Sequence, residues 1–486
     1  MNNKGSVTIF LTLVLGAILL LALSCIGVVE YRLAESKGAM AVRSSISGIR
    51  ADYNSYIFEN YHILLFDKNG NGRGEAYVEE RLTRDIQHNL GDAYAVEELR
   101  VDDYELLLED DCSAFKDQIV EHSGYCLAGQ GVEHILESTG FQDGTVSDAI
   151  YEDMDAANHS DAIVEETDMS QQTTEAQIED PELAEAYETL APLFDEEDPR
   201  DFTEDLTSEG ILAIVAPEDM EINSSQVDLS STPSVERWGY VLTDYSIDND
   251  FDDIDILKKD IGKYDSWKDQ LKSAGAGLLY SSHVFNCATE TVQEDTVFAF
   301  ELEYIICGKK SDRENLKSTV NRLIGVRFPV NYSYLVSSSA KMREIKKISI
   351  PIAIQTLVPE PIVRYLIAGC WAYVESIFDV RCLLQGDRQD FFKSSATWKT
   401  DLNNLEDSLN MDGEDSDTGL CYKDYLLILL ALDMEDGYYR MLDIIELNTK
   451  QHYREFDMNN AAVGLTLDVT TSYGGRQFYY RENISY

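Results

Sequence analysis

Positive charge is what this 486-residue chain has least of. It carries 39 Lys+Arg against 89 Asp+Glu, a formal net charge of -50. A surface that negative repels phosphate backbones, which excludes nucleic acid as a partner. Zinc-type spacing is missing too. The eight cysteines, at 25, 112, 126, 287, 307, 370, 382 and 421, form no C-x-x-C pair, and none of the seven histidines stands at ligand spacing. Cys25 lies in an apolar run, which leaves seven others, an odd number that cannot all pair within one chain. Cys307 and Cys370 are expected to act as small buried hydrophobes. There is no G-x-S-x-G, no H-E-x-x-H and no Walker loop. Ser338-Ser-Ala-Lys341 matches the S-x-x-K pattern without its companion motifs. Paired carboxylates occur everywhere in so acidic a chain and carry no weight for acid–base catalysis. These absences point away from an enzyme and from a resident cofactor, Ca²⁺ being the one ion with a case. Hydrophobic residues at 44% exclude wholesale disorder.

What is present begins at the N-terminus. From Gly5 to Val29 no side chain is charged and almost all are apolar. As a helix this run measures roughly 37 Å, more than the hydrocarbon core of about 30 Å requires. It is longer than the apolar core of a secretory signal peptide, and no small-x-small cleavage site follows it. An uncleaved transmembrane anchor at residues 1–29, contacting the bilayer through residues 5–29, is the expectation. The stretch Glu30 to Phe66 lacks proline, and Leu33, Met40, Val42, Ile46, Ile49, Tyr53 and Ile57 recur at helical spacings. This predicts a stalk helix over 30–66, with oligomerisation through it as a corollary. Lys4 lies on one side of the run and Arg32, Lys37 and Arg43 on the other, so counting basic residues alone does not orient it. Large domains translocate with little regard to charge, and the acidic bulk is therefore expected outside the cytoplasm. A second apolar run, Tyr365 to Val374, is only ten residues long and reads as a buried core helix.

Beyond the stalk the chain reads as α+β: a first ectodomain part (67–140), an acidic and largely disordered linker (141–230), and a main ectodomain (231–486). The length alone suggests about three units. Helices are expected over 75–89, after Ser113, after the capping box Ser311-Asp-Arg-Glu314, and over 332–348, 361–384, 422–432 and 437–448. Val96 to Leu108 reads as a strand with a phase change at Asp102-Asp103, hence a bulge or turn. Val297 to Cys307 has the plainest alternation in the chain, with Phe298, Phe300, Leu302, Tyr304 and Ile306 on one face, and reads as a strand. The last segment reads as a hairpin about Gly474-Gly475. Between Gly144 and Pro199 there is no Lys or Arg, so this tract stays solvated, a short helix near 182–194 aside. The fold expected is a single N-terminal transmembrane helix continuing into a stalk, then an acidic ectodomain with a small antiparallel sheet and several packed helices.

One loop has metal-ligand spacing. Asp67, Asn69 and Asn71 occupy positions 1, 3 and 5 of an EF-hand-like loop, Gly72 position 6 and Glu75 position 9. Position 12 holds Val78, and Glu79 follows one residue late. A Gly/Asn turn between two helices and a calcium site both remain open. The acidic loop Asp412 to Asp417 has no such template and is expected to be solvated.

Two resemblances follow. Lys4-Gly-Ser-Val-Thr-Ile-Phe-Leu, with one membrane helix, a stalk and an outer domain, resembles the TadE/TadG family of pilus-locus pseudopilins. Tyr304–Leu316, Trp371–Arg381, Trp398–Asp401 and Tyr422–Leu426, together with that opening, resemble domain-of-unknown-function family 5702, a family of Gram-positive envelope proteins. The resemblance implies a membrane-anchored envelope structural or assembly protein, associated with a tight-adherence pilus or secretion system and meeting proteins of that locus. It implies no activity. Prepilin peptidases cut after Gly, so Gly5-Ser6 is a candidate junction. The Glu that pilins carry five residues after the cut is Phe10 here, which puts pilin-type polymerisation in doubt. The rival classes are an anchored extracytoplasmic hydrolase or ligand-binding receptor, and a calcium-dependent adhesion module.

Overall fold

The computed structural model describes residues 4–125, 210–238, 274–291, 296–356, 358–405, 408 and 419–486, with side chains from Phe10 onward. The tract 144–199, the helix expected near 182–194 and the loop 412–417 lie outside the described residues. The chain divides into two compact units, Met1–Gln118 with Ile445–Tyr486, and Ile119–Ile444.

In the first unit a single helix, α1 (Lys4–Arg50), leads into α2 (Ser55–Tyr61), β1 (Phe66–Asp67), α3 (Tyr77–Leu90) and β2 (Tyr94–Leu106). The C-terminal strands β3 (Ala461–Tyr473) and β4 (Arg476–Ser485) complete an antiparallel sheet. β3 is central. It pairs with β2 along one side (Tyr94↔Tyr473 to Leu106↔Ala462), and on the other with β1 (Phe66↔Ala462) and then β4 (Gly464↔Ser485 to Tyr473↔Arg476). The hairpin turn falls where expected. Gly474 and Gly475 have φ of +58 and +76, the pair of positive values that a two-residue primed turn demands. The phase change at Asp102-Asp103 is also present, as a register shift between Val101 and Asp103.

The helix expected over 30–66 ends at Arg50. The Asn54 side chain caps α2 by accepting from the Ile57 N–H, and its own N–H donates to the Leu65 carbonyl, so the first helix cannot continue. Nor is residue 30 onward a free stalk. Ala34, Ala41, Val42, Ile46 and Ile49 are buried against α3 and the sheet, among Leu82, Ile86, Leu465, Leu467, Val469 and Tyr480. The apolar stripe that predicted the helix is thus covered within the chain. Leu33 and Met40 stay exposed.

The remaining described elements are helices: α4 (Glu109–Tyr125), α5 (Ile211–Val215), α6 (Pro233–Trp238), α7 (Gly275–Val284), α8 (Glu301–Cys307), α9 (Asp312–Ser337), α10 (Ser339–Thr356), α11 (Glu360–Gln385), α12 (Tyr422–Leu432) and α13 (Met434–His452), of which α5 to α12 lie wholly in the second unit. α4 becomes a regular helix only after Asp110–Cys112, which are left-handed. Three expectations are corrected. The strand over 297–307 is a loop followed by α8. Every residue from Glu301 to Cys307 is buried, and a short run buried on all sides shows period-two apolarity without being a strand. The helix over 332–348 is two helices, with Ser338 extended between them. Residues 210–230, assigned to the linker, are ordered: Leu212, Val215 and Leu229 are buried, Val227 N–H donates to the Lys310 carbonyl (2.8 Å) and Arg313 N–H to the Asn223 carbonyl (3.1 Å). The capping role of Ser311, the buried helix over 361–384 and α12 agree with the sequence. The α+β expectation holds as a mixed fold, with a small antiparallel sheet and one long apolar N-terminal helix.

Gly38 is where α1 meets the sheet most closely. A Cβ there would lie 2.0 Å from the Tyr480 hydroxyl, which donates to the Glu35 carbonyl (3.1 Å). Gly38→Val is expected to lower stability by about 1–3 kcal/mol through overpacking. Adding Tyr480→Ala should make the two changes strongly non-additive. A urea titration of the single and double variants checks both statements.

Candidate functional site

α1 presents the first candidate. From Phe10 to Val29 its large apolar side chains stand bare, with Phe10 67%, Leu20 70% and Val29 65% exposed. None of the apolar window is covered by the other described residues, and its mean hydropathy is 2.7. Among the described residues this is the one helix long and apolar enough to cross a membrane. By length and composition alone, an anchor and a signal sequence fit it equally. Gly5 and Ser6, the candidate cleavage junction, lie at its helical start.

The loop after β1 brings together some of the expected calcium ligands and not others. Asp67 Oδ1 accepts from the Asn69 N–H and Oδ2 from the Asn71 N–H, each at 2.7 Å. Burial pushes the Asp67 carboxyl up despite these two bonds. Glu79 is not brought to the loop, because it sits on α3 and its Oε1 accepts from the Val101 N–H of β2 (2.9 Å). Glu75 is exposed. Beside the loop lies a cleft of about 350 Å³, lined by Asp52, Tyr53, Asp67, Asn71, Tyr77 and Arg81 among others. Of its charged groups, Arg81 pairs with Asp52, Asp67 accepts the two backbone N–H groups and Arg73 donates to the Tyr77 hydroxyl. No group of three metal-ligating acids, histidines or cysteines occurs among the described residues.

The second unit holds a buried ionic constellation that the sequence reading did not find. Arg327 donates from Nε (2.9 Å) and a terminal nitrogen (2.7 Å) to Oδ2 of Asp379. Its other terminal nitrogen donates to the Asp390 and Phe391 carbonyls and to the Tyr425 hydroxyl. Lys393 Nζ donates at 2.6 Å to both Asp379 Oδ1 and Glu375 Oε1. Glu375 Oε2 accepts from the N–H (2.9 Å) and hydroxyl (2.7 Å) of Thr400, whose Oγ1 also accepts from Trp371 Nε1. Arg327, Glu375 and Asp379 are 0% exposed. Burial alone would raise the Asp379 carboxyl, but the neighbouring Arg327 and Lys393 charges hold it below the usual carboxylate range. Two cations face two carboxylates, so the group is formally neutral and hydrogen-bonded throughout. Such a constellation fixes geometry and leaves no spare nucleophile or base. One signal could have disclosed it: Glu375 and Asp379 stand four apart, one turn, on a helix otherwise read as apolar core.

Two further acids are buried with less compensation. Glu303 Oε1 accepts from the Tyr422 hydroxyl and the Ala288 N–H, while its Oε2 has no hydrogen-bond partner. Burial pushes it up to about 7. Asp443 accepts from the Ser234 N–H (2.9 Å) and the Tyr304 hydroxyl (2.7 Å), and burial pushes it up to about 6. The S-x-x-K residues are not a catalytic pair: Ser338 Oγ accepts from the Lys341 N–H, and Lys341 Nζ lies 4.4 Å from the Trp371 ring centroid. Cys112, Cys287, Cys307 and Cys382 are buried, Cys370 and Cys421 half-buried, and Cys25 is exposed on α1.

Arg327→Met should cost about 3–5 kcal/mol, because it strands Asp379 in the interior; the shift of a chemical-denaturation midpoint reads it. Glu303 predicts a pH dependence. A carboxyl with a folded pKa above its unfolded value of about 4.3 binds its proton more tightly when folded. Its contribution is complete below that unfolded value and is lost as pH rises through about 7. Stability is therefore expected to fall between those limits. Glu303→Gln should flatten that fall, seen by comparing melting temperatures across the range.

A model of a family of unknown function, DUF5702, matches residues 193–473, more than half of the chain. The chain belongs to that family. No curated protein and no solved structure matches.

Proposed function

We propose that this DUF5702 member is a membrane-anchored structural or assembly protein of the cell envelope, tied to a tight-adherence pilus or secretion system. The observation that supports the reading is the division of labour along α1. Its first half is apolar and uncovered, and its second half is welded to a folded body by Arg43–Glu482 (2.9 Å), Lys37 to the Leu90 carbonyl (2.6 Å) and Tyr480 to Glu35. A bilayer satisfies the first half, since a helix closes its own backbone hydrogen bonds there. A rigid continuation into the second half then carries the bilayer's position directly into the sheet. The net charge of -50 suits a solvated body outside the cytoplasm. The TadE/TadG-like opening supports the pilus-locus association, and the Gly5-Ser6 junction supports processing by a prepilin-type peptidase.

Membrane fractionation tests the anchor. The native chain is expected in the carbonate-washed pellet. Leu15→Arg, Leu19→Arg and Leu23→Arg together should release it, each arginine costing about 2.5–3.5 kcal/mol near the bilayer centre. All three side chains are exposed, so the folded body should melt unchanged. Recovery of the native chain in the soluble fraction without detergent would sink the reading. N-terminal sequencing that begins at Ser6 would support processing, and a start at Met1 or Asn2 would remove it.

A further inference from the structure

The chain's scarce basic residues are unevenly placed, and one exposed group of them borders a sparsely charged helical segment. Residues 341–347 of α10, Lys-Met-Arg-Glu-Ile-Lys-Lys, carry four basic side chains and one acidic. Arg343, Lys346 and Lys347 are exposed. The next twenty residues, Ile348 to Ile367, contain two charges, Glu360 and Arg364. These two neutralise each other in a bidentate pair one helical turn apart, and Ser349 donates to the same carboxylate (2.6 Å).

The segment is a helical hairpin. α10 packs along α11, and Val358 and Pro359 lead into the second helix. Its inner positions, Ile345, Ile352, Val363 and Ile367, are buried. Several outer positions are apolar as well, beside the exposed polar Gln355 and Thr356. Leu366 is 51% exposed, and Ile350, Ile354, Val358 and Ile362 are partly exposed. Isolated exposed apolar residues need no explanation, but an electroneutral apolar tip with a basic collar, on a body of charge -50, does.

We propose that the tip of the α10–α11 hairpin docks on the surface of an anionic lipid bilayer, with Arg343, Lys346 and Lys347 against the headgroups and Leu366, Ile362 and Ile354 at the headgroup–acyl boundary. The complementarity is twofold. Partly exposed isoleucines and leucine match the shallow apolar zone of the interface, and the collar matches its negative surface potential. An acidic protein surface would satisfy the cations but would leave the neutral tip against water. The internal pairing of Glu360 with Arg364 removes the two charges that would otherwise oppose insertion. The proposal rests on the envelope-anchor reading in one respect: α1 would keep a bilayer within reach.

The test uses the full chain in lipid nanodiscs that carry a photoreactive diazirine on an acyl chain, with insertion sites mapped by mass spectrometry. Two compositions are compared, phosphatidylcholine alone and an equal mixture with phosphatidylglycerol. In the mixed discs labelling is expected on both α1 (10–29) and the hairpin (348–366); in phosphatidylcholine it should remain on α1 and fall on the hairpin. Lys346→Glu with Lys347→Glu should cut hairpin labelling by about tenfold or more, since each cation near an anionic surface is worth about 1 kcal/mol. α1 labelling should not change. Labelled α1 with an unlabelled hairpin in mixed discs overturns this proposal and leaves the anchor standing. Hairpin labelling that ignores lipid charge overturns the role given to the collar. An unlabelled α1 overturns the anchor instead.

Discussion

One helix with a bare half and a covered half governs the first unit. α1 runs unbroken from Lys4 to Arg50, yet among the described residues nothing covers Phe10–Val29, while the inner face of Ala34–Ile49 is covered by α3 and the sheet. Buried apolar area is worth roughly 25 cal/mol per Å². Twenty residues of bare leucine, isoleucine and valine therefore need an environment that the folded chain does not supply. The packed half decides how that environment is coupled to the rest. Tyr31 lies 5.1 Å from the Phe478 ring, Asn89 bonds to Ser45 and Tyr486 to the Arg50 carbonyl. The two ends of the chain are thus tied in one layer, since β3 and β4 come from its last residues. Displacing α1 would strip the sheet of its covered face.

The second unit meets a different constraint: how to bury charge in a chain with few cations. Asp379 and Glu375 share Lys393, and Arg327 adds the second positive charge, so each carboxylate is fully compensated. Glu303 and Asp443 have no cation bonded to them and rely on tyrosine hydroxyls and backbone N–H groups. The outcome is opposite in sign. Asp379 is held low, whereas Glu303 and Asp443 are pushed up by burial. Hydrogen bonds from neutral donors soften desolvation but do not replace a counter-ion.

Legibility followed the same physics. The hairpin at Gly474-Gly475, the bulge at Asp102-Asp103 and α12 were readable because a turn, a phase change or a cap is written in adjacent residues. Val297–Cys307 was misread because burial is uniform from Phe300 to Cys307: Glu301 and Glu303 are inside as well, bonded to the Asn286 and Ala288 N–H groups, and no local pattern announces that. The Asp67 loop shows a different limit of local spacing. Its spacing was right for oxygen ligands, but spacing could not show that Glu79 would turn to Val101. Arg327 and Lys393 were invisible because their partners come from distant segments. Only the i, i+4 acids of α11 left a trace. The bareness of Phe10–Val29 was legible in full, since it depends on composition and length alone.

The family blocks gain a physical meaning from this. Trp371–Arg381 contributes Trp371, Glu375 and Asp379, Trp398–Asp401 contributes Thr400, and Tyr422–Leu426 contributes Tyr422 and Tyr425. They converge on one polar interior, with Glu375 bonded to Thr400, Asp379 to Arg327 and Arg327 to Tyr425. Tyr304, from a fourth block, bonds to Asp443. Replacing such a constellation with apolar residues is often neutral or stabilising, while breaking one member is costly. Stability alone is therefore a poor reason for its presence. What it does supply is register: each donor and acceptor has one satisfying position, so α9, α11 and the loop 390–400 can assemble in one way. The family match begins at residue 193, well past α1. The matched range takes in every member of the polar constellation, from Arg327 to Tyr425, and leaves out the apolar helix α1.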